Sequence, residues 1–177
     1  EMVVAAGKGH IGGAFSCADI LTVLYYADIL RFKSHQPGWP GRDRFIFSKG
    51  HSGAALYAIL ADLDFFKISE LSTFCKNGSR LGGHPDRNIP GIEADTGSLG
   101  HGLGIGCGLA LSAQMDKKDF LSFVLLGDGE CYEGSVWEAA LFAGHHKLKN
   151  LIAIVDRNCQ CVLDYTEHCL ALEPLAE

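Results

Sequence analysis

The segment Phe120-Leu-Ser-Phe-Val-Leu-Leu-Gly-Asp-Gly-Glu130 is an apolar run that ends in a carboxylate flanked by two glycines. A second apolar run, Leu151-Ile-Ala-Ile-Val-Asp-Arg-Asn158, ends in an amide. The stretch between them, from Gly134 to Leu148, has the composition of a helix. A strand, a helix and a second strand with short connections form a right-handed parallel crossover unit. These residues therefore predict a parallel sheet in this part of the chain.

The two strands of such a unit end at the same edge of the sheet, where open α/β sheets bind ligands. Asp128 and Asn158 are therefore expected to lie side by side, and Gly127 and Gly129 are expected to expose backbone N–H groups. A divalent cation such as Mg2+ is commonly held by one or two protein oxygens together with phosphate oxygens. The pattern predicts a site for a metal ion and a diphosphate.

The rest of the chain alternates helical patterns with short apolar strands. We predict a strand at Phe45-Ile-Phe47, and Ser16-Cys-Ala-Asp19 resembles the capping signal of a helix. Helices are predicted over about 20–30, 54–63, 70–75 and 103–115, and loops over 7–13, 78–91 and 97–102. This alternation predicts an α/β fold, a doubly wound and mostly parallel sheet with helices on both faces.

Several segments resemble the diphosphate-binding domain of the transketolase family of thiamine-diphosphate enzymes. They occur in the family's order: Gly9-His-Ile-Gly-Gly13, Ser48-Lys-Gly-His51, Gly83-His-Pro85, Thr96-Gly-Ser-Leu-Gly100, Gly127-Asp-Gly-Glu-Cys-Tyr-Glu-Gly-Ser-Val-Trp-Glu-Ala-Ala140 and Leu151-Ile-Ala-Ile-Val-Asp-Arg-Asn158. One short motif has a high false-positive rate, but such a series in order does not arise by chance. The resemblance implies that residues 1–177 are a single diphosphate-binding domain, incomplete at both ends.

The resemblance also implies the ligands of the metal and the cofactor contacts. Asp128, the Asn158 side chain and the Gln160 backbone carbonyl would hold Mg2+, or Ca2+ or Mn2+ in its place. The residues expected to contact thiamine diphosphate are His51, Gly97, Ser98, Leu99, Gly129 and Asn158. The family often has Pro where Ser98 stands and Gln where His101 stands, so the role of His101 stays open.

Three further residues are implied to act in catalysis. His10 and His84 would line the channel in which sugar hydroxyls are bound and deprotonated, since an imidazole exchanges protons near neutral pH. Glu133 would belong to a carboxylate network next to the partner subunit, and Glu138 is a weaker candidate for it. Acidic residues also favour helix N-termini for electrostatic reasons alone, which would explain either glutamate without a catalytic role.

The implied reaction is transfer of a two-carbon ketol unit from a ketose to an aldose, with phosphorylated sugars the expected substrates. The family's pyrimidine-binding domain has no counterpart in these residues, and Ile11 stands where many single-chain members have Pro. We therefore expect the N-terminal subunit of a split transketolase, inactive alone and assembled in an oligomer with a C-terminal subunit. A deoxyxylulose-phosphate synthase, a 2-oxo acid dehydrogenase subunit and a non-catalytic binding subunit of the same fold stay open as alternatives.

Composition limits the other classes of function. The 177 residues are 47% apolar and carry a net charge of −6 with no run of Lys or Arg, which disfavours a nucleic-acid surface. No apolar stretch reaches the ~20 residues that span a bilayer, and no leader is evident. Seven scattered cysteines are typical of reduced thiols in the cytoplasm, where we place the protein.

Two other ligand classes fit the sequence poorly. Cys159, Cys161 and Cys169, with His168, do not have the spacing of a usual four-ligand zinc site. The glycines between Gly97 and Gly108 do not form the G-x-G-x-x-G fingerprint that would predict nicotinamide-dinucleotide binding.

Overall fold

A three-stranded parallel sheet lies at the centre of the protein, whose computed structural model describes residues 1–162 and 164–175. The strands β1 (Arg44–Phe47), β2 (Ser122–Gly127) and β3 (Leu151–Asp156) are paired in that order. The helices are α1 (Met2–Ala6), α2 (Ile11–Ser16), α3 (Ala18–Tyr26), α4 (Gly53–Asp62), α5 (Gly102–Met115), α6 (Gly134–His145) and α7 (Thr166–Cys169). The prediction of an α/β fold with a parallel sheet is confirmed.

Alternating side chains of the strands pack into two separate cores, one on each face of the sheet. Phe47, Phe123 and Leu125 pack with buried residues of α3 and α4. Val124 and Leu126, on the opposite face, pack with buried residues of α5 and α6. All residues of β2 are buried because both of its faces are covered, as in other parallel sheets. Helices therefore cover both faces, as predicted.

The register of the strands places the ends of β2 and β3 level with each other. Gly127, the last residue of β2, is paired with Asp156, the last residue of β3. The connections that follow both strands consequently leave the sheet at one edge, and Asp128 and Asn158 lie on them.

Helix α2 occupies part of the segment that was predicted to be a loop over residues 7–13. Gly12 and Gly13 are weak helix formers, but tertiary packing overrides this preference. A Cβ atom on Gly13 would lie 2.5 Å from Ser52 Oγ and 3.1 Å from the His51 ring. The absence of that atom lets α2 approach the segment at the start of α4.

The prediction that Ser16 caps the next helix is wrong. Helix α3 has Cys17 at its N-cap position and no side-chain cap, and it ends at Tyr26 rather than near residue 30. Ser16 Oγ donates instead to Asp156 Oδ2 over 2.5 Å. A local pattern suggested the cap, whereas the real partner follows 140 residues later in the chain.

Smaller differences concern the ends of elements. The segment predicted as a short helix over 70–75 forms a 3-10 helix at Ile68–Thr73. The crossover helix ends at His145 instead of Leu148, since Lys147 has a positive φ of 50° and Leu148 turns back into the core. Among the described residues, no helix is long and apolar enough to cross a membrane.

Candidate functional site

The ends of β2 and β3 open into a cleft of about 450 Å3 at the predicted edge of the sheet. Helix α2 and the segment after β1 form its other walls. The described residues that line it are His10, Gly12, Gly13, Ser16, Lys49, His51, Leu99, Gly127, Asp128, Gly129, Glu130, Asn158, Gln160, Cys161 and Val162. The cleft thus brings together seven of the residues that the sequence predicted: His10, His51, Leu99, Asp128, Gly129, Asn158 and Gln160.

Asp128 is a buried carboxylate with one acceptor position left. Its Oδ1 accepts a hydrogen bond from Gly129 N at 2.8 Å. Its Oδ2 accepts from Arg157 Nη1 at 2.8 Å and from Cys159 N at 2.7 Å. A carboxylate offers about four lone-pair positions, so the fourth lies on Oδ1. That oxygen can bind a cation without breaking any of these bonds.

The side-chain amide of Asn158 is held in one orientation by two neighbours. Its Nδ2 donates to Ser16 Oγ at 3.0 Å, and its Oδ1 accepts from Gln160 N at 2.9 Å. The Gln160 carbonyl oxygen lies 3.9 Å from the position that a Cβ on Gly129 would occupy. The amide oxygen and this carbonyl therefore belong to the same compact loop beside Asp128.

The expectation that Gly127 and Gly129 present free N–H groups to a ligand is wrong. The Gly127 N–H donates to Glu130 Oε2 at 3.1 Å, and the Gly129 N–H donates to Asp128 Oδ1. Both donors are used inside the loop. A bound anion would therefore have to be held by a cation or by side chains rather than by these two amides.

A buried ion pair lies beneath the cleft. The side chains of Lys49 and Asp156 are 1% and 6% exposed, and Lys49 Nζ donates to Asp156 Oδ2. The same carboxylate oxygen accepts the Ser16 hydroxyl, which in turn accepts from Asn158. Buried charges are tolerated only when they are paired and hydrogen-bonded. Neither residue was assigned a role from the sequence, since no local pattern marks Lys49 or Asp156 as buried.

Glu130 joins three segments of the site and was also missed from the sequence. It is 2% exposed, and its Oε1 accepts from Ser48 and from Gly100 N at 2.8 Å, while Oε2 accepts from Gly127. Gly100 has a φ of +82°, and a Cβ there would lie 2.6 Å from both Glu133 Cβ and Ser135 Oγ. Only glycine fits at this position, and the hydrogen bond from Gly100 N to Glu130 holds the 97–101 loop against the segment after β2.

Two histidines meet in the cleft and a third lies close by. The His10 and His51 rings contact edge to face with centroids 5.5 Å apart. Burial, followed by the charges of Lys49, His10 and His84, lowers the pKa of His51 to about 4. His51 is therefore a neutral imidazole at physiological pH. His84 is exposed, and its ring lies 3.1 Å from where a Cβ on Gly97 would be.

Four predicted site residues lie beside the described lining of the cleft rather than in it. His84 and Gly97 contact each other, as above, and Ser98 is exposed. Glu133 is exposed at the N-cap of α6, next to Gly100. Within residues 1–162 and 164–175, no group of three or more His, Cys, Asp or Glu side chains is arranged to hold a metal ion.

Comparison with known proteins identifies the family. The family described as "Transketolase, thiamine diphosphate binding domain" matches residues 1–172. The chain belongs to the transketolase family. The cleft therefore lies at the sheet edge of a thiamine-diphosphate-binding domain.

Relatives and solved structures agree with this. The chain is 46% identical over its whole length to an apulose-4-phosphate transketolase subunit of Phocaeicola vulgatus and spans 63% of that protein. It is 43% identical to the 6-deoxy-6-sulfo-D-fructose transketolase subunit of Clostridium sp. (strain MSTE9), again over the whole chain, and spans 64% of it. The crystal structure of Campylobacter jejuni transketolase superposes on this chain with a TM-score of 0.90 at 35% sequence identity. The match covers 96% of this chain and 28% of the transketolase chain.

Proposed function

We propose that this chain is the part of a transketolase that binds Mg2+ and the diphosphate of thiamine diphosphate, for transfer of a two-carbon ketol unit from a ketose to an aldose. One observation carries the proposal. Asp128 and Asn158 lie at the level ends of two adjacent strands, each held by hydrogen bonds that leave an oxygen acceptor position available.

The residues present fit a metal bound to a diphosphate. One carboxylate, one amide oxygen and one backbone carbonyl, from Asp128, Asn158 and Gln160, are the hard oxygen donors that Mg2+ prefers. Mg2+ keeps phosphate oxygens and water as its other ligands, which a cleft of about 450 Å3 can admit. Because Gly127 and Gly129 donate within the loop and Lys49 is paired with Asp156, a bound metal would be the main counter-charge for the diphosphate.

The histidines complete the proposed chemistry. When bound, thiamine diphosphate supplies the nucleophilic carbon and the electron sink that ketol transfer requires. His10 would bind and deprotonate sugar hydroxyls at the mouth of the cleft, and His84 would do so from the neighbouring loop. His51, neutral because of its lowered pKa, would contact the cofactor as an uncharged hydrogen-bonding ring. The 97–99 backbone would face the aminopyrimidine.

A separate partner chain completes the enzyme in this proposal. The two relatives above are named as transketolase subunits, and this chain spans less than two thirds of each. We propose an assembly of two such subunits with two partner chains that carry the pyrimidine-binding domain, with Glu133 near the contact. Trp137 and Leu141 on α6 are 49% and 76% exposed and are suited to that contact. Val136 and Leu103 are buried in the core and are not available for that contact.

The names of the two relatives suggest a substrate class. One contains a sugar phosphate and the other a sulfonated sugar. We propose that the donor of this enzyme is a ketose with an anionic group at the end distant from the carbonyl. The cytoplasmic location stays a prediction.

A ketol-transfer assay with the purified full-length protein tests the proposal. We expect product only when the partner chain, thiamine diphosphate and Mg2+ are all present. Robust transfer without any partner would contradict the split architecture. Condensation of pyruvate with an aldose phosphate, instead of ketol transfer, would favour a deoxyxylulose-phosphate synthase.

A further inference from the structure

Two cysteine thiols touch at the outer wall of the cleft. Cys161 Sγ and Cys169 Sγ are 3.2 Å apart, on the loop after β3 and on α7. Cys161 also lines the cleft and directly follows Gln160, the proposed carbonyl ligand of the metal. Two sulfurs in a disulfide are about 2.05 Å apart, so closure requires a movement of only about 1.2 Å.

Of the other five cysteines, three are buried, Cys75 is half-buried in a different segment, and Cys159 is exposed in the same loop. Cys17, Cys107 and Cys131 are buried, and burial raises the pKa of each thiol, to about 11 for Cys17 and Cys131. Thiols that stay protonated and inaccessible react slowly with oxidants. The hydrogen bond with Cys161 raises the pKa of the Cys169 thiol as well, so access to solvent, and not acidity, distinguishes this loop. Cys159 and Cys169 are exposed and Cys161 is half-buried, so an oxidant can reach it.

We propose that Cys161 and Cys169 form a dithiol site for peroxides, whose oxidation to a disulfide weakens metal and diphosphate binding in the adjoining cleft. One sulfur attacks a peroxide oxygen as its thiolate, the O–O bond breaks, and a sulfenic acid and one water form. The second sulfur attacks the sulfenic sulfur, the S–S bond forms, and the hydroxyl leaves as a second water. The two thiols lose two electrons and two protons, which the peroxide accepts.

The loop between the two cysteines links this reaction to the cleft. The Cys161 N–H and Sγ both contact the Asp164 carbonyl, and Gln160 pairs with Tyr165. A Cβ atom on Gly129 would lie 3.3 Å from the Cys161 Cβ, so Cys161 packs directly against Gly129, the residue after Asp128. Cys161 directly follows Gln160, so drawing Cys161 toward Cys169 also displaces the Gln160 backbone carbonyl. Mg2+ demands near-ideal octahedral geometry, so a small displacement of a carbonyl ligand weakens its binding.

The opposite end of the loop is fixed. Tyr132 Oη donates to the carbonyls of Thr166 and Leu170, and Arg157 contacts Thr166 Oγ1 and Glu167. Helix α7 is thereby tied to the segment after β2 and to the end of β3. The movement on closure therefore falls mainly on Cys161, beside the proposed metal ligand Gln160.

Peptide mapping of the full-length protein after treatment with stoichiometric hydrogen peroxide tests the dithiol itself. We expect one disulfide, between Cys161 and Cys169. The matched control is Cys159→Ser, which removes an exposed thiol of the same loop and should leave that disulfide unchanged. Cys169→Ser should abolish it. Preferential linkage through Cys159, or no linkage of Cys161 to Cys169, would overturn the proposal.

The coupling to the cleft rests on the proposed function and has its own measurement. Outer-shell changes at metal sites typically cost about 10–100-fold in affinity, and we expect the oxidised protein to bind thiamine diphosphate with Mg2+ about tenfold more weakly. By linkage, saturating cofactor and Mg2+ should shift the thiol–disulfide equilibrium in a dithiothreitol buffer toward the dithiol by the same factor.

The outcomes separate the two proposals. If the reduced protein binds thiamine diphosphate with Mg2+ and the thiol–disulfide equilibrium does not change, the coupling is wrong while the proposed function stands. If the reduced protein does not bind the cofactor, the proposed function and the coupling both fail, and the peptide map alone decides whether the dithiol site exists.

Discussion

Replacing Ser16 by alanine removes one hydroxyl that stands between a buried ion pair and a proposed metal ligand. In the parent, Ser16 Oγ donates to Asp156 Oδ2 at 2.5 Å and accepts from Asn158 Nδ2 at 3.0 Å. We expect this relay to hold the Asn158 amide with its oxygen toward the loop that carries Gln160. Without it, the amide can rotate and place a nitrogen where the metal needs an oxygen.

The expected effects follow from these two bonds. A hydrogen bond to a charged group contributes about 1.5–3 kcal/mol, and Asp156 keeps Lys49 as a partner, so the variant should lose no more than about 3 kcal/mol of unfolding free energy. Loss of an outer-shell partner of a metal ligand typically costs about 10–100-fold in affinity. We expect a loss in that range for thiamine diphosphate at a fixed Mg2+ concentration.

Calorimetric titration of the full-length protein, with urea unfolding in parallel, measures both quantities. Ser16→Thr keeps the hydroxyl and should bind close to the parent. Thr22→Ala is the matched control, because it removes a hydroxyl that bonds only to the Ala18 carbonyl among the described contacts. Unchanged cofactor affinity in Ser16→Ala would refute the idea that Ser16 orients Asn158.

The remaining predictions concern the histidines and the buried ion pair. His10→Ala and His84→Ala should lower ketol transfer by about 10²–10⁴-fold in the enzyme reconstituted with its partner and leave cofactor affinity near the parent value; parallel losses of binding and turnover would indicate a structural role instead. Lys49→Met should cost about 3–5 kcal/mol of unfolding free energy in urea titrations, because it leaves Asp156 buried without its cation, and adding Asp156→Leu should recover most of it. The pKa of His51 is about 4 in the folded protein and about 6.5 when unfolded, so the unfolded chain binds the proton first and stability should fall as the pH falls from about 6.5 to 4. His51→Gln should reduce the slope of unfolding free energy against pH by at most about 1.4 kcal/mol per pH unit. The reduction should be smaller than this limit because the ring is only half-buried. Equal pH profiles for parent and variant would show that His51 titrates normally.

The parts of the fold set by apolar periodicity could be predicted from the sequence. The runs before Asp128 and Asn158 form adjacent parallel strands, and the intervening segment forms the crossover helix. Helix α2 could not be predicted, because Gly12 and Gly13 oppose a helix locally and its support comes from packing against α3, α4 and the segment after β1.

The composition of the site was predictable, but its internal hydrogen bonds were not. The expected parallel strands predicted that Asp128 and Asn158 lie side by side, and the family resemblance predicted His51 beside them; all three line one cleft. The buried partners of those residues come from distant segments: Lys49 lies 107 positions from Asp156, and Ser48 lies 82 positions from Glu130. Long-range pairing of charged side chains leaves no periodic signal in one sequence.

The same distinction explains the wrong expectation for the glycines. Gly127 and Gly129 suggested N–H groups available to a phosphate, as in other glycine-rich loops. In the structure, the carboxylates of Glu130 and Asp128 accept hydrogen bonds from those N–H groups. Whether a loop amide faces a ligand or its own neighbour depends on the side-chain rotamers of the folded loop, which residue types alone do not specify.

Calorimetric titration of thiamine diphosphate into Asp128→Asn, with and without Mg2+, tests the central claim most directly. The substitution keeps the size of the side chain and removes the only carboxylate among the proposed metal ligands. Asp116→Asn, an exposed aspartate beyond α5, is the matched control, and urea unfolding checks that each variant is folded. We predict that the parent and the control bind the cofactor only with Mg2+ and that Asp128→Asn loses this binding. Parental affinity in Asp128→Asn, with its Mg2+ dependence intact, would contradict the proposed metal site.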